Sequence, residues 1–363
     1  MMPQRLRSRL LRLVAALGGI LAVPAILAGV VFSPRTGRIT YTRLELGVTL
    51  AAVTVWLTTI GFGLRSLAQI ILYRIRPQLE PSPEATSWRW LCAVAAALAL
   101  GAIPYARYVE PRWIEVTTQE LPNRHVNGRV RLVIVSDMHS DARFDLDGQV
   151  TEKVNILAPD LVLFLGDALN KASRLQAFQA AMRSMRAKAG KYAIRGNWDA
   201  WYWSNLDLFR GTGFREITAG VETLAVNGTS LRILGHTWSD RWLPDRIVPV
   251  QEPFEGVTIM VYHSHDYAEV AAQRGVDLYL CGDTHGGQIA LPIWGPLLAI
   301  GHFGRRYSRG LYPIDGMNLY VTRGIGVEKS IPVRFGARPE IAVIDLVPLP
   351  RADQNGTQSG KNP

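Results

Sequence analysis

Val130-Arg131-Leu132-Val133-Ile134-Val135-Ser136-Asp137-Met138-His139 sets an apolar, β-branched run directly against an acid and an imidazole. A run of this kind reads as a short strand, and Asp137 and His139 then fall just past its carboxyl end. The pattern recurs. Leu161–Leu165 is followed by Gly166-Asp167, and Tyr192–Ile194 by Arg195-Gly196-Asn197-Trp198-Asp199. Val257–Tyr262 is followed by His263-Ser264-His265-Asp266, and Leu278–Leu280 by Cys281-Gly282-Asp283-Thr284-His285-Gly286-Gly287-Gln288. Open α/β sheets place their sites at the carboxyl ends of strands, and Gly beside a ligand lets backbone pass close and turn sharply. Asp and His after a strand also serve as ordinary turn residues, so one such motif is weak evidence. Five in succession, each at the same end of a strand, point to metal binding.

Outward from these motifs the pattern is that of an α/β domain from about residue 113. Leu231–Leu234 reads as a further strand, and Leu319–Val347 as a β-rich closing part. Leu175, Phe178, Met182 and Met185 recur at helical spacing and read as core. Arg351–Pro363 is rich in Gly, Asn, Gln and Ser, so residues 349–363 read as a disordered tail. Cys92 and Cys281 each lie in an apolar run and read as buried free thiols.

The N-terminal third is different. The chain is 48% hydrophobic and 19% charged, which is apolar for a soluble protein. Leu13–Phe32 carries no charge over 20 residues, Leu46–Leu64 none over 19 and Trp90–Ala106 none over 17. At about 1.5 Å per residue such runs approach or span a hydrocarbon core of roughly 30 Å. We read residues 1–112 as a multi-pass membrane anchor with about three transmembrane helices, residues 113–348 as the soluble domain. A cleavable signal peptide at Leu13–Phe32 is the rival reading. Residues 1–112 hold 13 Arg, no Lys and 4 Glu, so they carry +9 of the net +10. The basic excess is therefore topology signal and lipid-headgroup contact, and the near-neutral remainder argues against nucleic acid as a partner. With the N-terminus inside, inner segments hold eight Arg against five outside. That bias places the soluble domain outside the cytoplasm, in the periplasm if the source is Gram-negative.

The ordered motifs resemble those of the calcineurin-like metallophosphoesterases: Asp-x-His, Gly-Asp, Gly-Asn-His-(Asp/Glu), a lone His and Gly-His-x-His. The resemblance covers about residues 113–348. Within the family the chain is similar to a membrane-associated bacterial branch, YkuE-like and UDP-diacylglucosamine pyrophosphohydrolase-like. Ala158-Pro159-Asp160, Gly286-Gly287-Gln288, Thr322-Arg323-Gly324-Ile325-Gly326 and the stretch Arg334–Glu340 support this. The resemblance implies a four-layer αββα sandwich, here preceded by a transmembrane helical region. It also implies two divalent metal ions, Asp137, His139 and His285 holding one, Asn197, His263 and Asp283 the other, with Asp167 bridging. Metals about 3.5–4 Å apart share a hydroxide and clamp a phosphate for in-line attack. Imidazole with carboxylate suits Mn, Fe or Zn better than Ca.

Two positions depart from the family pattern. Asp283 stands where the first His of Gly-His-x-His is expected, which makes the site richer in oxygen and tilts it toward Mn²⁺ or Mg²⁺. Trp198 stands where the family has the His that protonates the leaving group. Loss of a general acid costs about 10²–10⁴-fold, and matters least when the leaving group is already good. The expected substrate is therefore a pyrophosphate or other activated phosphate ester, lipid-linked if the anchor serves to concentrate it. Asn197 and His265 are the candidate catalytic residues, His265 as a substitute proton donor, and Arg323 the candidate phosphate contact. A salt bridge is an equal reading for Arg323. His236 could line the cleft, with a hydrogen-bonded structural role the favoured reading. Trp201, Trp203, Trp238 and Trp242 could meet an acyl chain or headgroups, with core packing as the plain alternative. A membrane-bound metal sensor or scaffold without turnover is the competing function, argued by Trp198 alone. The oligomeric state has no signal in the sequence.

Overall fold

The computed structural model describes residues 43–76, 78, 83–239, 242–250, 252–291, 293–297, 301–329 and 332–350. The apolar run Leu13–Phe32 and the tail Arg351–Pro363 lie outside them. The chain divides into two compact units. One comprises Pro111–Gly286, Tyr307–Pro332 and the described residues from Arg338 onward. The other comprises the described residues up to Glu110 with Gly287–Arg306 and Val333–Ala337.

The first unit is built from β1 (Glu115–Asn123), β2 (Val130–Val135), β3 (Leu161–Phe164), β4 (Gly190–Ala193), β5 (Arg215–Glu216), β6 (Ala219–Val226), β7 (Thr229–His236), β8 (Val257–Val261) and β9 (Leu278–Cys281). After β10 (Ala290–Leu291) and β11 (Gly295–Pro296), which belong to the second unit, it resumes with β12 (Gly310–Ile314), β13 (Met317–Val321) and β14 (Glu340–Pro348). These strands make two six-stranded mixed sheets, in the orders β1-β14-β2-β3-β4-β5 and β12-β13-β9-β8-β7-β6. Strands β2 to β5 run parallel, as do β7, β8, β9 and β13. Consecutive strand ends in each sheet therefore emerge on the same side.

Side chains on a strand alternate between faces, and here both faces of the central strands are buried. Leu132, Ile134, Leu161, Leu163, Ala342 and Ile344 share one core with Leu231, Ile233, Val257, Ile259, Leu278 and Leu280 of the other sheet. The intervening Val133, Val135, Val162, Phe164 and Val343 share a second core with the helices Asp147–Ile156 and Leu175–Ser184. Phe178 and Met182 of the latter helix are fully buried and Met185 nearly so, as their spacing predicts. Double burial explains why these strands read as unbroken apolar runs. The edge strands β1 and β6 alternate between exposed and half-buried positions and carry no such run, so their sequences do not announce them.

The second unit contains α1 (Arg43–Ile75) and α2 (Pro83–Pro104). Among the described residues two spans, Val53–Ile75 and Thr86–Arg112, are long and apolar enough to cross a membrane. They contain the expected runs Leu46–Leu64, in part, and Trp90–Ala106. The helices pack closely at Gly63, where a Cβ would strike Ala96 and the Cys92 carbonyl. Arg89 donates to Gln69 at 3.1 Å and lies over the Tyr73 ring. Pro104 interrupts the helical bonding, and a single π turn, Tyr105–Val109, carries the chain on.

Glu340, at the start of β14, ties the two sheets together. Its buried carboxylate accepts hydrogen bonds from Thr117 of β1, from Tyr320 of β13 at 2.7 Å and from Thr322 at 3.2 Å. The Arg323 backbone N–H donates to it at 2.8 Å and the guanidinium at 3.3 Å. Burial works to raise its pKa, but the Arg323 charge and the donated bonds outweigh it and hold the carboxyl below the usual Glu range. Breaking a buried charge pair costs about 3–5 kcal/mol, and without Glu340 the Arg323 guanidinium would keep only the partly exposed Glu115, which sets the expected loss at the lower end of that range. Glu340→Ala is expected to lower the urea midpoint of the detergent-purified protein by a corresponding amount at neutral pH. Because the folded pKa is depressed, this contribution is present above roughly pH 4.3, the unfolded Glu value. It fades as pH falls through the folded pKa, so the gap between wild type and variant should narrow in acid.

Candidate metal centre

The expected ligands converge. Asp137 and His139 follow β2, Asp167 follows β3, and Asn197 opens the short helix Asn197–Tyr202 after β4. From the other sheet, His263 follows β8, and Asp283 and His285 follow β9. Ligand atoms of Asp137, His139, Asp167 and His285 all lie within 4.8 Å of one another. His139 Nε2 is 3.4 Å from Asp167 Oδ2, and His285 Nε2 is 3.5 Å from Asp137 Oδ1. His263 Nε2 lies 3.0 Å from Asn197 Oδ1, 3.4 Å from Asp167 Oδ2 and 3.6 Å from Asp283 Oδ1. All of these residues are buried except Asn197, which is half-buried.

The backbone that delivers them is strained. Asp137, His139, Asp167, Asp283 and His285 all take positive φ, between 39° and 67°. Non-glycine residues held there cost of order 1–3 kcal/mol each and persist only where their surroundings over-determine them. The surroundings are visible. Asp137 N–H donates to the Gly166 carbonyl at 2.9 Å and His139 N–H to that of Asp167 at 3.0 Å. From the other side Ile325 N–H donates to Ser136 at 3.0 Å and Gly326 N–H to Asp137 at 2.7 Å. The stretch Thr322–Gly326 is thus a strap across the first metal motif. Gly324 must be glycine for two reasons: its φ is +63°, and a Cβ would land on the Asp137 side chain. At Gly196 a Cβ would collide with Asp167 and the His263 ring.

Second contacts aim the side chains. His263 Nδ1 lies 2.7 Å from the Leu165 carbonyl, which can only accept, so Nδ1 donates and Nε2 offers its lone pair to the cluster. Asn170 Nδ2 donates to Val327, leaving its Oδ1, 3.1 Å from His139 Nδ1, as acceptor and His139 Nε2 again free to ligate. Asp199 accepts three backbone bonds, from Asp167 at 2.8 Å, Ala168 at 2.9 Å and Gly196 at 3.1 Å.

Electrostatics fit a cation. Burial pushes Asp283 up to about 7 and Asp199 up to about 6, the latter helped by the Asp167 charge. Burial also raises Asp137 against the pull of His263. Burial would raise Asp167 too, but His263 and His139 hold it well below the carboxylate range. Asp167 in turn lifts His263 and His139 despite their burial. Crowded carboxylates in a dry site lack positive charge. Asp137 Oδ2 and His139 Nε2 are buried without a hydrogen-bond partner, an arrangement rare in proteins unless a ligand or ion completes it. Oxygen and imidazole donors of this kind suit a divalent cation.

The remaining candidates fall in different places. Trp198 rests edge-on against the His139 ring, centroids 5.4 Å apart, with its indole N–H buried and unpartnered. Arg323 is paired with Glu115 at 2.8 Å and Glu340 at 3.3 Å, and its stem lies beside Gly286. His265 is buried, edge-on to Tyr307. His236 Nδ1 is 2.6 Å from the Thr237 carbonyl, the structural role favoured for it. Trp203 donates to Leu169 and Trp238 is buried, whereas Trp201 and Trp242 are exposed. Sequence reading assigned no role to Asp199, Asn170 or Glu340. Only Asp199 had a signal, an acid three residues past Gly196 at a helix start.

Two mixed sheets whose strand ends gather three aspartates, three histidines and an asparagine define a metal-dependent phosphoesterase. Residues 130–287 match the calcineurin-like phosphoesterase family. The chain is 31% identical over 275 residues to the uncharacterized metallophosphoesterase YkuE of Bacillus subtilis, covering 70% of this chain and 93% of that one. It is 26% identical to the phosphodiesterase YaeI of Escherichia coli, covering 71% and 98%. It is 26% identical to the UDP-2,3-diacylglucosamine pyrophosphatase LpxG of Chlamydia muridarum, covering 70% and 95%. The chain belongs to the calcineurin-like phosphoesterase family and is a metal-dependent phosphoester hydrolase.

Asp199→Asn tests the support of the site. An amide turns one acceptor into a donor facing backbone N–H groups. Losses of about 10–100-fold in metal affinity are typical for such supporting residues, and calorimetric Mn²⁺ titration of chelator-treated protein should read a weakening in that range.

Proposed function

We propose that this protein is a membrane-anchored dinuclear-metal phosphohydrolase that cleaves a phosphodiester or pyrophosphate bond in a lipid-linked substrate. The observation that carries the reading is the buried, charge-deficient cluster with Trp198 at the position of the expected proton donor. Asp137, His139 and His285 would hold one cation, Asn197, His263 and Asp283 the other, with Asp167 shared, and Mn²⁺ is the ion we favour. When bound, two such cations supply Lewis-acid polarisation of a phosphoryl group and a nucleophilic water.

The chain's own residues do the rest. Asn197 and His263 are 3.0 Å apart, a spacing at which both can face one ion. Asp199 clamps the Asp167 and Gly196 backbones and so keeps those donors in place. Arg323, beside Gly286, is the proposed phosphate contact, with its bond to the partly exposed Glu115 the one a phosphate would replace. Trp198 packs against His139 and has no titrating proton to give, which favours substrates whose leaving group departs as a stabilised phosphate. His265 is the alternative proton donor. The lipid-linked substrate is supported by the likeness to LpxG, a UDP-2,3-diacylglucosamine pyrophosphatase, and by the two apolar spans among the described residues. We place the anchor at residues 1–112 and the catalytic domain at 113–348, in the four-layer αββα arrangement and outside the cytoplasm.

Detergent-purified protein with Mn²⁺ should hydrolyse an activated aryl phosphodiester, and Asp167→Ala should reduce this to background. Tight metal binding without turnover in the wild type would favour the sensor or scaffold reading instead. Trp198→His should accelerate alkyl phosphodiester hydrolysis by about 10²–10⁴-fold, the worth of a general acid, and pyrophosphate hydrolysis far less. Equal acceleration of both would refute the leaving-group argument.

A further inference from the structure

Two residues past His285 the chain enters the second unit, where it forms a small hairpin. Strands β10 and β11 pair antiparallel, Ala290 with Pro296 and Leu291 with Gly295. Ile293, in the turn, is fully exposed. Trp294 beside it is half-buried, its ring covered by the Arg305 guanidinium at 4.3 Å. No charged residue occurs from Ile289 to Leu297, while His302 and Arg306 further on are exposed.

This hairpin is bonded into the end of the apolar span Thr86–Arg112. Ala290 N–H donates to the Phe335 carbonyl at 2.7 Å and Phe335 N–H to Gln288 at 2.8 Å. Arg334 N–H donates to the Ala106 carbonyl at 2.9 Å, and Ala337 N–H to Glu110 Oε1 at 2.7 Å. The Phe335 ring meets Tyr105 edge-on at 6.1 Å. Tyr108 and Val109, at the same end of the span, are exposed. An exposed Ile on a turn, an adjacent Trp and nearby exposed basic groups match the residue types that favour a bilayer interface with anionic headgroups.

We infer that the Ala290–Pro296 hairpin is a membrane-interface contact of this protein, with Ile293 inserted at the level of the lipid acyl–headgroup boundary. The occupant of this surface is the bilayer itself: the hairpin is continuous with a span long enough to cross one, and the exposed Arg306 that follows it in the chain suits anionic lipid. The inference rests on the membrane-anchored reading above. It adds a second point of contact with the bilayer, in a segment distant in sequence from the apolar spans.

Spin labels test it in the full-length protein in nanodiscs of phosphatidylethanolamine and phosphatidylglycerol. Single cysteines Ile293→Cys, Leu67→Cys and Ile156→Cys would be introduced in a Cys92→Ala background, Cys281 being fully buried. Leu67 lies in the span Val53–Ile75, and Ile156 is an exposed residue of the catalytic unit. The label at 293 is expected to relax more with oxygen than with a water-soluble nickel complex, as the label at 67 does, while the label at 156 shows the reverse. A label at 293 as nickel-accessible as that at 156, with 67 protected, overturns the hairpin contact and leaves the anchor standing. A nickel-accessible label at 67 overturns the anchor, and the hairpin inference with it. Dipolar broadening between labels at 293 would instead put a second copy on this surface and overturn the bilayer as its occupant.

Discussion

Asp137, Asp167 and Asp283 are carboxylates within reach of the same few imidazoles, in a site almost closed to water. At the separations seen here, like charges in a low-dielectric interior repel far more strongly than they would in solvent. The fold answers in two ways. It surrounds the acids with three histidines whose Nδ1 atoms, for His139 and His263, are tied to oxygen acceptors, and it leaves buried ligand atoms uncommitted. Much else in the catalytic unit follows from that demand: parallel strands that end together, glycines that let loops close over one another, and the strap from Thr322 to Gly326.

The central strands were legible because they are buried on both sides and so are spelled in uninterrupted Val, Leu and Ile. The ligands were legible because each stands directly after one of those runs. What the sequence hid is equally specific. Strands β1 and β6 are edges with one open face, and their alternation is too shallow to separate from loop. Glu340 and Asn170 look like any solvated polar residue; only the convergence of chain segments 17 to 223 residues apart makes them hubs. The block from Thr322 to Gly326 stood out as a pattern, but its purpose needed the two hydrogen bonds it gives to Ser136 and Asp137.

Trp198 shows how one replacement couples packing to chemistry. A histidine there could move a proton; the indole instead braces His139 and meets the tilted Tyr202 ring, at 4.7 Å between ring centres. The brace stiffens an imidazole that a cation needs in one orientation.

The left-handed backbone at Asp137, His139, Asp167, Asp283 and His285 has a further bearing on which residues these positions tolerate. Asn, Asp and His are the non-glycine residues most at home in that region, and β-branched residues the least. The conformational alphabet of these corners therefore nearly coincides with the oxygen and imidazole donors that suit divalent transition metals. Exchange of His for Asp at position 283 changes the donor atom while leaving the path of the main chain undisturbed. Replacement by Val, Ile or Thr would strain the loop as well as remove the donor side chain.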